Sequence, residues 1–98
     1  MARFDIYKGA NAGSLLLDIQ SDLLDEFGSR VVVPLLPAEG MQSVSRLHPE
    51  FVINDEHYIM STHLIFAIPV DRLGAKIGSL AQDDLVITSA VDKLFSGY

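Results

Sequence analysis

The side chains able to do acid–base, nucleophilic or metal chemistry are few and scattered. His48, His57 and His63 are the only histidines. If His57 and His63 share a strand, their spacing puts both on one face but about 20 Å apart, too far for one metal ion. Hydrogen-bonded or solvated histidines are the simpler reading. Asp18, Asp22, Asp25 and Glu26 form a loose acidic group that suggests a divalent cation, but solvated acids at a strand end and turn are the simpler reading. Arg30 and Arg46 are the cations available for an anion, at a spacing that specifies none. Cysteine is absent, which removes thiol nucleophiles, Cys-ligated zinc, iron–sulfur clusters and disulfide staples together. No G-x-S-x-G elbow, phosphate-cradling P-loop or H-E-x-x-H pair occurs. The expectation is a chain with no catalytic residue, no metal and no cofactor.

The 98 residues are enough for a single domain, expected over 1–98. Half of the residues are hydrophobic (49%) and 20% are charged, a globular balance. Seven bases against thirteen acids give a net charge of −6, spread over both halves of the chain. That charge opposes direct nucleic-acid binding and adhesion to an anionic membrane. The longest uncharged apolar-rich run, Val31–Ala38, is far short of the roughly 18 residues a bilayer span needs. Met1-Ala2-Arg3-Phe4-Asp5 has no apolar run behind it, so the cytoplasm is the expected address.

These side chains have to be positioned mainly by strands. Arg3–Lys8 alternates in polarity, and the small residues Gly9–Gly13 return it through Leu15–Ser21 as a hairpin. Asp25–Ser29 reads as a turn with Gly28 free to take positive φ. Arg30–Leu36, with three consecutive valines, is the clearest strand, and its Pro34 predicts an edge position or a bulge. Pro37–His48 reads as a loop, in which Met41, Val44 and Leu47 have the spacing of one helical turn. Phe51–Ile53 and Tyr58–Met60 flank Asn54-Asp55-Glu56 as a hairpin, and Leu64–Val70 is a further strand containing Pro69. After residue 80 the period changes. Leu80, Ile87, Ala90, Val91, Leu94 and Phe95 predict an amphipathic helix over roughly Asp83–Phe95, stopped by Gly97. A mainly β chain closed into a small barrel, with one C-terminal helix, follows from these elements.

The run Asp18-Ile19-Gln20-Ser21-Asp22-Leu23-Leu24-Asp25, followed by Arg30-Val31-Val32-Val33-Pro34-Leu35, resembles the signature of the CcdB family of toxins. Val44-Ser45-Arg46, the hairpin Val52–Met60, Ile68-Pro69-Val70 and the ending Leu94-Phe95-Ser96-Gly97-Tyr98 match the same family in the same order. The resemblance implies an SH3-like barrel of the CcdB and MazF toxin type, with a C-terminal helix and a homodimeric state. It implies a toxin–antitoxin function, such as plasmid maintenance, in which the toxin binds the DNA gyrase A subunit and traps the enzyme with cleaved DNA. A CcdA-like antitoxin neutralises it.

Carried over residue by residue, the gyrase contacts are Ser21, Leu23, Leu24, Phe95, Ser96, Gly97 and Tyr98, with Leu94, Phe95 and Tyr98 at the dimer interface. The tail Ser96-Gly97-Tyr98 is expected to serve recognition more than folding. The best-known member has tryptophan where this chain has Ser96, exchanging a large apolar anchor for at most a hydrogen bond. Two alternatives remain at this stage: an endoribonuclease toxin of the MazF and Kid type, using Arg30 or Arg46 with a nearby acid or histidine, and a degenerate non-toxic CcdB homologue.

Overall fold

The computed structural model describes residues 2–9, 13–24, 26–39 and 45–97. The expectations for Asp25, Met41, Val44 and Tyr98 lie outside them.

Among the described residues, seven strands and one α-helix follow in order: β1 (Asp5–Lys8), β2 (Leu15–Asp18), β3 (Ser29–Pro37), β4 (Glu50–Ile53), β5 (Glu56–Met60), β6 (Phe66–Pro69), β7 (Lys76–Ser79) and α1 (Asp84–Ser96). All pairings are antiparallel, in the order β4-β5-β3-β2-β1-β7, with β6 also on β3. The mainly β fold with a terminal helix is as the sequence predicts. Its sheet, however, curls without closing: β4 and β7 are the ends of the path, so the expected edge-free barrel is a half-barrel.

Local chemistry explains the β4–β5 connection and the end of the helix. β4 and β5 are joined by Asn54 and Asp55, both at positive φ (52° and 67°), the two-residue turn whose twist matches paired strands. Gly97 stops α1 in the left-handed region (φ 77°), its N–H donating to the Lys93 carbonyl. The helix buries Ile87 and Ala90 in one core with Phe4 and with Ile6, Leu17 and Met60 of the sheet, and Val91 packs against that core. Phe4 also takes a positive φ (74°), uncommon for a bulky residue. It is held there by its N–H to the Asp18 carbonyl and by its own carbonyl, which accepts from Leu80 just before the helix.

Three features depart from expectation. β2 ends at Asp18 and not at Ser21, because the chain turns into a 3-10 turn over Asp22–Leu24. β7 has no sequence signature: Lys76-Ile77-Gly78-Ser79 lacks apolar alternation and is a strand only because β1 pairs with it. Lys76 Nζ, 3.4 Å from the buried Asp5 carboxylate, reinforces that pairing.

Pro34, the third, is neither at an edge nor in a bulge. It lies inside the central strand, opposite Leu16 of β2. On β3's other side, Ser29–Val32 pair with β6 and Leu35–Pro37 pair with β5. Pro34 sits at the changeover. Its carbonyl accepts the Ser61 N–H at 2.9 Å, and a strand residue's N–H points the same way as its C=O. The donor that proline lacks would therefore have met the Ser61 carbonyl, which instead accepts the Leu64 N–H and opens the 3-10 turn Thr62–Leu64. Proline thus ends one ladder where the next partner strand takes over. Pro69, by contrast, ends β6, whose only partner among the described residues is β3.

Because the Ser61 carbonyl is already engaged by the Leu64 N–H, an amide at position 34 gains little, and Pro34→Ala is expected to destabilise the fold by about 0.4–1 kcal/mol through the freedom it restores to the unfolded chain. Urea unfolding measures this; a gain in stability would show that the proline had been displacing a ladder bond.

Candidate binding surface

The segment with the most distinctive sequence folds around a buried ion pair. Asp18, at the end of β2, and Arg30, at the start of β3, are both 0% exposed. The guanidinium meets the carboxylate through two hydrogen bonds, Nε to Oδ2 at 2.8 Å and Nη2 to Oδ1 at 3.0 Å. Two side-by-side N–H donors matched to one carboxylate make the strongest side-chain pairing available, and a buried one has to be complete. Nη2 also donates to the Gln20 carbonyl at 3.1 Å and approaches Asp22 Oδ1 at 3.6 Å. Burial pushes the Asp18 carboxyl above its ordinary range, opposed by the hydrogen bonds from Arg30 and the Gln20 amide. Burial, with the Asp5 and Asp18 carboxylates, likewise raises the Tyr7 phenol.

Gln20 extends the frame. Its Oε1 accepts the Val31 N–H at 3.0 Å, and its Nε2 donates to the Leu24 carbonyl at 2.7 Å. Arg3 braces the far side, with its N–H on Asp22 Oδ1 (2.8 Å) and its Nε on the Ile19 carbonyl (3.2 Å). Within the turn, Ser21 Oγ accepts from the Leu23 N–H and the Ser21 carbonyl accepts from the Leu24 N–H. With this backbone engaged, the turn holds Leu23 91% exposed, with Leu24 47% and Phe27 61% exposed nearby.

This arrangement corrects two expectations. Asp18 is not a solvated strand-end acid but pairs with Arg30, while the exposed Asp22 accepts the Arg3 N–H. Arg30 is committed inside the fold and offers nothing to an external anion. Among the described residues, no three His, Asp or Glu side chains converge as metal ligands.

At the other end of the chain, Phe95 is 70% exposed, Leu94 is half-buried, and Ser96 and Gly97 are exposed. Gly97 has a conformational task whatever else it does. No hydrogen bond or ion pair among the described residues joins Ser21–Leu24 to Leu94–Gly97 within one chain.

The histidines fall into two places. His57 pairs with Glu50 across the β4–β5 hairpin, while His48 Nε2 lies 2.8 Å from His63 Nδ1. Sequence reasoning missed the second pair because its members come from a loop and a 3-10 turn, and no periodicity relates them. Beside that loop, Ser45, Arg46, Pro49 and Glu50 form a groove with Leu85, Val86 and Ser89 of α1.

A curled antiparallel sheet backed by a C-terminal helix, with an apolar turn held out on an ion-paired frame, is a small β toxin fold. It is similar to an endoribonuclease from a mycobacterial species solved in complex with its cognate antitoxin (TM-score 0.79, 16% identity, 97% of this chain and 94% of that one). It is also similar to the toxin MazF-mt6 of Mycobacterium tuberculosis (TM-score 0.77, 16% identity, 95% and 96%) and to a second mycobacterial endoribonuclease (TM-score 0.76, 14% identity, 97% and 90%). Residues 3–97 match the family model described as CcdB protein, and the chain belongs to the CcdB family. Family and fold together support a toxin of a toxin–antitoxin pair.

Arg30→Met leaves the Asp18 charge buried without its partner and is expected to cost about 3–5 kcal/mol in equilibrium unfolding, with the double replacement Asp18→Leu and Arg30→Met recovering most of that loss. If Arg30→Met costs under about 1 kcal/mol, the pair is not the frame described here.

Proposed function

We propose that this chain poisons DNA gyrase: it binds the A subunit and traps the enzyme on cleaved DNA, acts as a homodimer, and is neutralised by a CcdA-like antitoxin. The observation that carries this reading is Leu23, a large apolar side chain almost fully exposed on a turn whose backbone is tied to a buried ion pair. A turn whose backbone is already tied down gives up little backbone freedom on binding, which favours an interface anchor carried on it. Phe95 is the second exposed apolar group of the family's contact set, and it stands on a different element. A two-fold dimer through Leu94, Phe95 and Tyr98 supplies a way to gather both groups on one face, and presents each contact twice to a symmetric target. Ser96 in place of tryptophan leaves the anchoring to Leu23, Leu24, Phe95 and Tyr98. The action proposed is binding; the chemistry belongs to the trapped gyrase.

A second reading, the endoribonuclease toxin, is favoured by the mycobacterial neighbours. Arg30 is unavailable for it. Arg46, exposed and two positions from His48, would then have to stabilise the phosphate, with the His48–His63 pair moving the proton.

Incubating the protein with gyrase and supercoiled plasmid distinguishes these. The wild-type chain is expected to yield linear DNA. Leu23→Asp abolishes it while changing stability by under about 0.5 kcal/mol, as befits an exposed site. Deleting Gly97-Tyr98 abolishes it at a stability loss of about 1–2 kcal/mol. Absence of linear product from the wild type, together with degradation of total RNA, would replace the first reading by the second.

A further inference from the structure

Away from the turn and helix end proposed to contact gyrase, the folded chain brings two imidazole nitrogens together. His48 Nε2 and His63 Nδ1 are 2.8 Å apart, with ring centroids 4.9 Å apart and planes at 84°. Both backbones are pinned. The His48 N–H donates to the Ser45 carbonyl, and the Pro49 carbonyl accepts from Met60. His63 lies in the turn that starts at Ser61, where Leu64 donates to the Ser61 carbonyl. The Thr62 hydroxyl joins the two segments by donating to the Leu47 carbonyl. The rings themselves reach solvent, His63 more than His48. Position is therefore set by the fold, while ring orientation stays adjustable.

We infer that His48 and His63 form a two-imidazole site for a late first-row divalent ion, Cu2+ before Ni2+ or Zn2+. Two nitrogens at about 2.0 Å from one ion and at a right angle are about 2.8 Å apart, the cis arrangement of a tetragonal ion, whereas tetrahedral zinc sets them about 3.3 Å apart. The separation in the fold is that of an N–H···N hydrogen bond, so the rings have to turn before both can ligate. The order Cu2+ before Ni2+ or Zn2+ rests on the general preference of imidazole sites among these ions. A turn of each ring points both lone pairs at one ion. The ring that donates in the imidazole–imidazole hydrogen bond carries its proton on the other nitrogen once metal is bound, so both ligands remain neutral. No third His, Asp or Glu among the described residues joins them, so water fills the other positions. Such an ion would staple the Ser45–Pro49 segment to the Thr62–Leu64 turn, at the edge of the groove against α1. His57 is the internal control, being engaged by Glu50 across the hairpin.

The test titrates Cu2+, and separately Mg2+, into the full chain near neutral pH and reads the melting temperature with the imidazole proton resonances. Cu2+ at roughly ten times its Kd is expected to raise Tm by about 5–10 °C. It is also expected to broaden the His48 and His63 signals first, and Mg2+ should do neither. His48→Gln and His63→Gln each abolish the Tm rise, and His57→Gln keeps it. His63 is exposed, so its variant remains informative even if His48→Gln impairs folding. An absent rise in the wild type, a rise that survives His63→Gln, or one lost in His57→Gln would overturn the site.

Discussion

The Asp18–Arg30 pair is the constraint on which the rest of the described surface depends. It joins the last residue of β2 to the second residue of β3 with both groups out of water, so neither can lose its partner without leaving a charge buried. From that pair Gln20 and Arg3 carry the described chain outward until the turn delivers Leu23 to solvent. Polar groups are spent inside the fold to hold an apolar one outside it. On the proposed reading, in which the protein acts by binding, this frame under an exposed leucine is the working surface.

The sheet is organised by a comparable economy of hydrogen bonds. β3 serves two partners on one side, and Pro34 marks where one ends and the next begins. The Ser61 carbonyl, left without a ladder donor, starts the turn that carries Thr62 and His63. The loop through Leu47 and His48 is fastened to that turn by Thr62 and by the imidazole pair. One missing N–H in the central strand thus fixes the place where a distant loop is tied down.

The legible parts of the sequence were those governed by local chemistry. Three consecutive valines marked β3, Asn54-Asp55 marked a hairpin, and Gly97 marked the end of the helix one residue beyond its expected last position. What was not legible depends on contacts between segments far apart in the chain. Nothing local distinguishes a buried Asp18 from a solvated one, so the acids read as turn charges and Arg30 as a free cation. Lys76–Ser79 became a strand through β1 alone. The motif resemblance pointed to Ser21, Leu23 and Leu24, but the reason for the motif emerges only in the fold: Asp18, Gln20 and Arg30 build the frame, and the leucines are what it displays.

That division of labour is tested most directly by a double-mutant cycle on Gln20 and Leu23, read as affinity for a gyrase A fragment. If Gln20 acts by positioning the turn, Gln20→Ala weakens binding in the wild-type background and adds almost nothing once Leu23→Ala has removed the displayed side chain. Losses that simply add, or an absence of binding in all four forms, would contradict the account.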